Sequence, residues 1–586
     1  MPCDEKKAVS AMRLKRTRVA IAVGLTLAFC ACLGLSACSS ATTEDEAVVE
    51  EEEPVVTQAG SVEITCVHDA ADLDADELSD WAYDNVYDES TQASIKAQLD
   101  AEKDGQTLAA PLVAYNPFGT NTLSLYVYFN TDEVASVSYT VSVSDDEVAT
   151  IDDETLVAES IDDFTDDVDD GAYATEHEFQ VIGLIPGVAN VVTITATYAS
   201  GDAETCTVTA DMCDVLGDEE LQLEVTDGES DAELEDGLYV ILGNDSDDAD
   251  FMYYYDNQGI LRGEVPVIGY RSHRMLFDDD GTMYYSASQS RIAAMSALGQ
   301  ITSVYYLGVY DLHHDYVWEA EGETMLVLAT DTSRNDSDED LVIELDVETG
   351  DVTELLDMGD VLATYKEEAF AYHEQNYEPE DGEDDDVAGW MHINSIVYIA
   401  DEDAVLLSSR ETSTIFKISA ISSEPAIEYM LASELFWADT EYESLVFEQV
   451  GDFTVHGGQH CLTYVADDSL EDGQYYLQFY NNNLGVSAST TNDFDYEGAG
   501  IGAGDDPSSY YYCYLVDENA GTFELVDSLE VPYSGYVSSV QWVGENLLID
   551  SGTLGYYTEY DADGVAIRSF SMGADTFIYR VFKYDL

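Results

Sequence analysis

The sequence predicts an all-β protein in which a small β-sandwich is followed by a β-propeller. Strand-like alternation of apolar and polar residues recurs in the first half of the chain, at 122–129, 135–143 and 191–198. From residue 237 onward, a turn that opens with Asp and closes with Gly repeatedly joins two strands, at 256–259, 346–350, 517–521 and 561–564. Hydrophobic residues make up 46% of the 586 residues and aromatic residues 11%, whereas disordered acidic chains are poor in both, so most of the chain is expected to fold.

Residues 1–37 have the features of a bacterial lipoprotein signal peptide. Six Lys or Arg residues precede an uncharged stretch from 19 to 35, and the sequence Leu-Ser-Ala-Cys38 at its end is similar to a lipobox. In lipoproteins the signal is cleaved before this Cys, which is then acylated. Cys38 is therefore the expected lipidation site, and the mature chain is expected to be extracytoplasmic and lipid-anchored to the bacterial cell membrane. An uncleaved membrane helix is the alternative, but the run is short for a full span.

The rest of the chain divides into four segments. Residues 38–60 predict an acidic tether and residues 61–215 the sandwich, with one helix near 92–103; residues 216–236 predict an acidic linker and residues 237–586 the propeller. Repeated hairpins over the last segment suit six or seven blades of about 45 to 50 residues each. A β-helix and several sandwiches in series are the alternatives.

The charge of the chain excludes one class of partner. Its 19 Lys and Arg residues against 122 Asp and Glu residues give a formal net charge of −103. Because nucleic-acid binding depends on basic side chains that neutralise phosphates, no nucleic acid is expected as a partner. The acidic turns at 166–171 and around 281 lack the alternating Asp and Asn of an EF-hand, so no designed calcium site is expected there, while adventitious binding of divalent ions stays open.

The cysteines do not follow a metal or redox motif. No CxxC pair occurs, so a zinc ribbon or a thioredoxin-like site has no support. An odd number of cysteines after Cys38 leaves at least one thiol unpaired within the chain, and the pairing stays open. These cysteines are Cys66, Cys206, Cys213, Cys461 and Cys513.

Histidine and arginine are scarce, so their positions are informative. In propellers, chemistry takes place where the innermost strands converge on the central channel, and residues far apart in sequence can meet there. At the i, i+2 spacing of a strand, His392 and Asn394 would share one face, which can hold an oxyanion. Four short segments place His or Arg among small polar residues: Asp311-Leu-His313-His314-Asp315, Trp390-Met-His392-Ile-Asn394-Ser395, Ser408-Ser409-Arg410 and Gly457-Gly458-Gln459-His460.

The histidines and arginines of the chain can also have a purely structural role. A lone His is usually a satisfied surface or half-buried residue, and His68, His177 and His373 are interpreted in that way. His273, which lies between two arginines, can face a ligand or belong to a surface loop. Arg410 can be a structural counter-ion in so acidic a chain.

Taken in order, the four segments resemble the bacterial aryl-sulfate sulfotransferases, the family that works without an activated nucleotide sulfate. Residues 110–121 (APLVAYNPFGTN) and 183–187 (GLIPG) are similar to the N-terminal immunoglobulin-like domain of that family. The motifs LHHDY, WMHINSI, SR followed by ST, and GQH come in the family's order through a six-bladed propeller. The resemblance covers the chain from about residue 61 to its end, and it implies an immunoglobulin-like β-sandwich followed by a six-bladed β-propeller.

The resemblance implies that His460 is the nucleophile, which becomes transiently sulfated. Family members from the periplasm carry a close cysteine pair just before this residue. This chain has only Cys461, which follows the nucleophile.

The resemblance also implies how the other residues act. His392, Asn394 and Arg410 correspond to the groups that hold the sulfuryl oxygens and the bridging oxygen. The remaining catalytic histidine lies in the pair His313-His314. His314 is favoured because it is adjacent to Asp315 in the sequence, and His313 stays open as the alternative.

The chemistry of these residues agrees with sulfuryl transfer. The reaction spreads charge over peripheral oxygens, so it needs fixed donors and an in-line nucleophile. A neutral imidazole is a competent nucleophile, and a cationic Arg with His and Asn donors supplies an electrostatic clamp. The chain has no Gly-Lys dipeptide and hence no P-loop for a nucleotide donor, so no cofactor is expected. The expected partners are phenolic sulfate donors and phenol acceptors; the membrane is contacted through the lipid anchor only, and a homodimer stays open.

Two other classes of function compete with this prediction. A non-catalytic, cell-surface propeller lipoprotein that binds a ligand gives no reason for His314, His392 and His460 to converge in the channel. A metalloenzyme would use the same histidines as zinc ligands and would contain stoichiometric metal. We expect no metal there, because Arg410 would repel a cation.

Overall fold

The structure of the chain is a computed structural model. It describes residues 55–66, 75–143, 148–151, 154–157, 161–168, 171–217, 219–243, 251–269, 271–377, 388–504, 507–573 and 576–586. The predicted signal peptide, Cys38 and the predicted tether as far as residue 54 lie outside the described residues. Among the helices of the described ranges, none is both long enough and apolar enough to cross a membrane.

The N-terminal domain is built on a seven-stranded sheet. The strands described in this domain are β1 (Val56–Thr65), β2 (Leu112–Tyr115), β3 (Leu125–Val143), β4 (Val148–Ile151), β5 (Glu154–Val157), β6 (Phe164–Val168), β7 (Ala174–Val181), β8 (Ala189–Tyr198) and β9 (Ala203–Asp211). The sheet order is β1-β9-β8-β3-β2, with β6 and β7 also paired to β3, while β4 and β5 form a separate hairpin. The immunoglobulin-like fold of this domain is confirmed.

Strand β3 joins two elements that the sequence separates. The predicted strands 122–129 and 135–143 are one strand of 19 residues, which pairs with β7 along its first part and with β8 along its second. Alternate side chains of the second part, among them Val137, Tyr139 and Val141, are buried, as a half-buried strand requires.

Two helices precede β2. They are α1 (Ala75–Trp81), which continues as a π-helical turn (Ala82–Val86), and α2 (Glu89–Glu102). The second is the helix predicted near 92–103. It begins where the Asp88 carboxylate accepts a hydrogen bond from the Thr91 backbone N–H at 2.7 Å, which satisfies one of the donors left open in the first helical turn.

A disulfide between Cys66 and Cys213 joins the end of β1 to the segment after β9. The other three cysteines of the described chain, Cys206, Cys461 and Cys513, are buried free thiols. The pairing that the sequence left open is thus one disulfide, within the N-terminal domain.

The C-terminal domain is a six-bladed β-propeller. The sheets that form its blades are, in strand order, β13-β12-β11-β35, β14-β15-β16-β17, β18-β19-β20-β21, β22-β23-β24-β25, β26-β30-β29-β28-β27 and β10-β34-β33-β32-β31. The strands are β10 (Glu224–Asp227), β11 (Leu238–Ile241), β12 (Phe251–Tyr255), β13 (Leu261–Pro266), β14 (Met275–Phe277), β15 (Met283–Ser288), β16 (Arg291–Met295), β17 (Ile301–Tyr306), β18 (Tyr310–Ala320), β19 (Thr324–Asp331), β20 (Leu341–Asp346), β21 (Val352–Asp357), β22 (Ile393–Ile399), β23 (Ala404–Ser409), β24 (Thr414–Ser419), β25 (Ala426–Leu431), β26 (Glu448–Val450), β27 (His460–Val465), β28 (Gln474–Asn481), β29 (Ser509–Asp517), β30 (Thr522–Val531), β31 (Ser539–Val543), β32 (Asn546–Ser551), β33 (Tyr556–Tyr560), β34 (Ala566–Ser571) and β35 (Val581–Tyr584).

The innermost strands surround the channel and will be called the channel strands. They are β35, β14, β18, β22, β27 and β31, and direct contacts join β18 to β22, β22 to β27, β27 to β31 and β31 to β35. Three helices lie outside the blades: α3 (Met358–Val361), α4 (Ala363–Asn376) and α5 (Glu434–Trp437).

The four predicted Asp-to-Gly turns are confirmed. Each joins the third and fourth strands of its blade, counted from the channel. In the turn after β12, the Asp256 carboxylate accepts hydrogen bonds from the Gln258 and Ile260 backbone N–H groups, at 2.8 and 3.0 Å. Gly259 has a φ of 72°, in the left-handed region that glycine adopts without a steric penalty.

Both ends of the propeller chain close the ring. The C-terminal strand β35 pairs with β11, and β10 pairs with β34 at the outer edge of the last blade. Strand β10 lies within residues 216–236, so the segment predicted as an acidic linker includes a strand of the propeller. Residues 56–60 of the predicted tether likewise belong to β1.

Candidate active site

The predicted histidines lie in or directly before three consecutive channel strands, β18, β22 and β27, and each strand is irregular at that point. The pairing register shifts between Leu312 and Tyr316 in β18, between Ile393 and Ser395 in β22, and after His460 in β27. At these places three residues have positive φ, namely His314 (59°), His392 (49°) and Cys461 (58°). A non-glycine residue in this conformation costs roughly 1–3 kcal/mol, and such strain is concentrated at functional sites.

His460 is held through one ring nitrogen by two neutral oxygens. Its Nδ1 lies 2.8 Å from Oδ1 of Asn482 and 2.9 Å from the carbonyl oxygen of Gly458. The Asn482 amide cannot be reversed without loss of bonds, because its Nδ2 donates to the carbonyl oxygens of Ser534 and Val537. Since both neighbours of Nδ1 are acceptors, the proton is on Nδ1 and Nε2 carries the lone pair.

The surroundings of His460 keep it neutral. The residue is 2% exposed, and burial lowers its pKa well below the ordinary value of 6.5. The hydrogen bond with Asn482 acts in the opposite direction, and the charges of His314, His392 and Arg410 act in the same direction as burial. An unprotonated nitrogen is what a nucleophile requires.

Hydrogen bonds and packing fix the segment before His460, and the Cys461 thiol is unpaired. Gly457 N donates to Oδ1 of Asn481 at 2.9 Å, and Gly458 N donates to the Ser413 hydroxyl at 3.1 Å. Both glycines are tightly packed, since an added Cβ would lie 2.2 Å from Ile501 at Gly457 and 2.7 Å from Leu484 at Gly458. This segment is therefore braced without a disulfide.

A carboxylate that the sequence did not single out joins two of the predicted histidines. Glu339 Oε1 lies 3.0 Å from His314 Nε2, and Glu339 Oε2 forms a close contact with His392 Nδ1. The two imidazole rings are 4.6 Å apart, centre to centre. Burial lowers the pKa of both histidines to about 4, and the charge of Glu339 opposes that effect.

The ring of His314 has a second partner on the other side. Its Nδ1 lies 3.0 Å from the Tyr579 hydroxyl, which also lies 3.1 Å from the His314 carbonyl oxygen. Both ring nitrogens of His314 are thus in hydrogen bonds. His313 is buried beside the backbone of Ala329 and Ile393, and burial lowers its pKa to about 4.

Arg410 is oriented by the residue next to it. Its Nε and Nη2 donate to the buried Glu411 carboxylate at 3.0 and 2.9 Å, and Nη2 also donates to the Ser489 hydroxyl at 3.2 Å. Within the described part of the chain, Nη1 has no hydrogen-bond partner. The structural interpretation of Arg410 as a counter-ion is therefore correct in part, and one guanidinium nitrogen is left for a ligand.

Asn394 lies beside the His460 segment. Its Nδ2 donates to the carbonyl oxygen of Gln459 at 2.9 Å. The regular alternation that the sequence assumed for His392 and Asn394 does not hold here, because His392 precedes β22 in a left-handed conformation. His392 is nevertheless joined to Arg410, whose backbone N–H donates to the His392 carbonyl oxygen at 3.1 Å, and Asn394 is joined to the residue before His460.

Asp315 does not orient His314, although the two are adjacent in the sequence. It is fully buried and accepts hydrogen bonds from Arg274 and Arg580, each at 2.9 Å, and from the Ser395 hydroxyl at 3.1 Å. Burial would raise the pKa of this carboxyl, but the two guanidinium groups lower it to about 2. Asp315 thus ties together several blades beneath the site.

The other histidines lie apart from this cluster or at its edge. His273 is fully buried, with its ring 5.2 Å from that of Tyr579, and so does not belong to a surface loop. His177 packs on Phe129 in the N-terminal domain, and His373 lies beside Ser489 with Nδ1 2.9 Å from its carbonyl oxygen. His68 lies outside the described residues.

One group of side chains has the composition of a metal site. Ligand atoms of His313, His314 and Glu339 lie within 4.8 Å of one another. Of the three histidines in the metalloenzyme alternative, only His314 belongs to this group, and chelation can test whether the group binds a metal.

Several residues of the cluster were missed from the sequence. Glu339 belongs to the acidic run DSDED, Asn482 to a run of three Asn, and Tyr579 is one of 41 Tyr. No local pattern distinguishes them. A weak signal exists for Glu411, which directly follows the predicted Arg410.

The fold and the cluster together describe a β-propeller with a histidine-rich candidate site in its channel. Residues 224–579 match the arylsulfotransferase (ASST) family, and residues 112–212 match the arylsulfotransferase Ig-like domain. The chain therefore belongs to the arylsulfotransferase family. A search of curated proteins gave no match.

Three solved structures that match the chain resemble it only distantly. A nidogen/laminin complex is 10% identical, with 59% of this chain and 97% of that chain covered and a TM-score of 0.34. An auxiliary nutrient binding protein from Bacteroides ovatus is 12% identical, with 77% and 95% covered and a TM-score of 0.29. Hydrazine synthase from Kuenenia stuttgartiensis is 10% identical, with 55% and 76% covered and a TM-score of 0.29. At these scores the likenesses carry no argument about function.

Proposed function

We propose that this arylsulfotransferase moves a sulfuryl group from a phenolic sulfate ester to a phenol in two steps, through a sulfated His460 and without a nucleotide donor. The observation that carries the proposal is the orientation of His460, whose Nδ1–H is held by Asn482 and Gly458 so that Nε2 presents a lone pair. In the first step Nε2 attacks sulfur, the N–S bond forms, and the S–O bond to the aryl group breaks with its electron pair on the phenolate. In the second step an incoming phenol oxygen attacks the same sulfur and releases Nε2.

The other residues of the cluster suit this chemistry. Arg410 Nη1, the His392 ring and Asn394 are the groups that would hold the sulfuryl oxygens as charge develops on them. His314, implied as the acid–base residue, has both ring nitrogens in hydrogen bonds, so it would exchange a proton with the phenol through the Tyr579 hydroxyl. Arg271 stacks on Tyr579 and Phe577, at 4.4 and 5.2 Å from the ring centres, and this cationic and aromatic wall suits a planar phenol.

The test is transfer from 4-nitrophenyl sulfate to phenol without nucleotide, followed by nitrophenolate release. Wild-type protein treated with donor alone should gain one sulfuryl group in intact-mass analysis. His460→Asn should gain none and should not turn over, while its melting temperature stays near that of the wild type. Intersecting double-reciprocal plots together with no adduct on the wild type would contradict the two-step route.

We also propose that the mature protein is anchored outside the cytoplasmic membrane by a lipid on Cys38, where phenolic substrates are met without nucleotide sulfate. The support is the Leu-Ser-Ala-Cys38 sequence after the apolar run. Cys38→Ser should remove the lipid and release the protein or leave its signal uncleaved. Unchanged acylation in this variant would overturn the proposal.

A further inference from the structure

A carboxylate at the centre of a site for anions needs an explanation. A sulfate ester carries negative charge, and an ionised Glu339 among the sulfuryl-binding groups would repel it. Burial would raise the pKa of Glu339, but the two histidines hold it well below the ordinary value, so the group is ionised. The role of this negative charge is therefore to be found in its effect on the two histidines that it contacts.

The backbone fixes Glu339 in place between two blades. Its N–H donates to the Thr330 hydroxyl at 2.8 Å, and its carbonyl oxygen accepts from Ile393 N at 2.9 Å. Its φ of 53° is in the left-handed region, as are those of the two histidines that it contacts. Three strained residues in mutual contact indicate that the surrounding structure holds this arrangement firmly.

The contacts of Glu339 determine where protons reside on both rings. An ionised carboxylate only accepts hydrogen bonds, so His314 carries a proton on Nε2 and His392 carries one on Nδ1. The nitrogen of His392 that can meet a ligand is then Nε2. In a neutral ring this nitrogen has a lone pair, which would repel a sulfuryl oxygen, whereas in a protonated ring it donates.

The charges around His392 decide whether a bound anion favours the neutral or the protonated form of its ring. From β18 it is faced by His313 and His314, from β27 by His460, from the segment after β23 by Arg410, and from the segment before β20 by Glu339. Arg410 opposes a second proton on His392, but its charge is already balanced by Glu411. Glu339 supports that proton, and so would the negative charge of a donor.

We propose that Glu339 is a positioning residue of the transfer reaction, which turns Nε2 of His392 toward the ligand and supports the proton with which His392 holds a sulfuryl oxygen. This inference rests on the proposed function. It assigns no bond-making step to Glu339 itself, which acts through the two rings that it contacts.

The experiment compares wild type with Glu339→Gln, Glu339→Asp and Glu348→Gln. Glu348 is an exposed carboxylate on the same blade and provides the matched control. The rate of nitrophenolate release is measured across pH, with the amount of sulfated His460 determined by mass spectrometry. Because a neutral amide cannot support a charged ring, we expect Glu339→Gln to lose about 100-fold or more in kcat/KM. Its remaining activity should also decline at a lower pH than in the wild type, since the protonated ring is less stable without the carboxylate.

Glu339→Asp retains the charge with a shorter reach. It should lose rate but keep the pH dependence of the wild type, which a merely structural role would not explain. This variant also decides the matter if Glu339→Gln does not fold. Wild-type rates and pH profiles in both Glu339 variants would overturn this inference and leave the proposed function standing. A Glu339→Asp variant whose pH profile is shifted as in Glu339→Gln would do the same. A wild-type protein that releases no nitrophenolate would overturn the proposed function and the inference with it.

Discussion

Two histidines in the same channel are prepared in opposite ways. His460 donates its Nδ1–H to neutral oxygens, from an amide and a backbone carbonyl, whereas His392 places its Nδ1 against the Glu339 carboxylate. Neutral acceptors fix the ring without favouring a positive charge, while a carboxylate stabilises the imidazolium form. His460 is thus kept as a neutral base with a free lone pair, whereas at His392 the Glu339 charge opposes the burial that disfavours a proton on the ring.

The largest expected effect in this comparison concerns Arg410, the cation beside His392. Arg410→Lys replaces a planar guanidinium, held by Glu411 through two of its nitrogens, with a point charge that cannot make the same contacts. We expect a loss of about 1–3 kcal/mol in transition-state stabilisation, which corresponds to roughly 5- to 150-fold in kcat/KM. Steady-state kinetics with 4-nitrophenyl sulfate measures it. Near-wild-type turnover would show that Arg410 is a structural counter-ion only.

A second prediction removes the contrast between the two histidines. Asn482→Asp places a carboxylate against Nδ1 of His460, which should raise the pKa of that ring from its present low value toward neutrality. Protonated His460 cannot attack sulfur, so activity should fall about 10-fold near pH 6 and recover near pH 8. Asn482→Ala, which adds no charge, should show no such pH dependence. Equal loss at all pH values in the Asp variant would contradict this assignment.

The surroundings of His460 and His392 also show what the sequence can predict. The convergence of His460, His392 and Arg410 follows from the propeller, because its channel strands bring distant segments together, and short motifs mark each segment. The six blades follow from the recurring hairpin turns together with the family resemblance. These features depend on local patterns that repeat along the chain.

The remaining features depend on contacts that local patterns do not encode. Glu339 is one of 122 acidic residues, and only the left-handed backbone at His314 and His392 brings both rings to its carboxylate. The adjacency of His314 and Asp315 suggested a pair, but the register shift in β18 directs Asp315 to Arg274 and Arg580. Bulges of this kind break the alternation on which sequence reasoning relies.

A smaller effect is expected for the wild-type protein between about pH 8 and pH 6. The nucleophile is competent when unprotonated, and burial places the pKa of His460 well below 6.5, so the neutral form predominates over this range. Titration of His460 should therefore change the rate at which donor alone sulfates this residue by less than about twofold between pH 8 and pH 6. Pre-steady-state nitrophenolate release measures that rate. A steep loss centred near the ordinary histidine pKa would show that His460 is not held neutral.

The smallest expected effect is that of metal removal, which tests the side of the channel that contains Glu339. His313, His314 and Glu339 could together hold a metal ion, because their ligand atoms lie within 4.8 Å of one another. A metal bound there would need the lone pair of His314 Nε2, but this nitrogen faces Glu339 Oε1 at 3.0 Å, a geometry in which the nitrogen carries a proton. It would also need Oε2 of Glu339 to give up its contact with His392, a ring whose protonation the charge of Arg410 already opposes. We therefore expect dialysis against a strong chelator to leave turnover unchanged. Zinc should not be present at stoichiometry in elemental analysis of the active protein. A different result would show instead that these residues bind a catalytic metal: activity is lost on chelation and restored by one equivalent of zinc, and Glu339→Gln shows neither change.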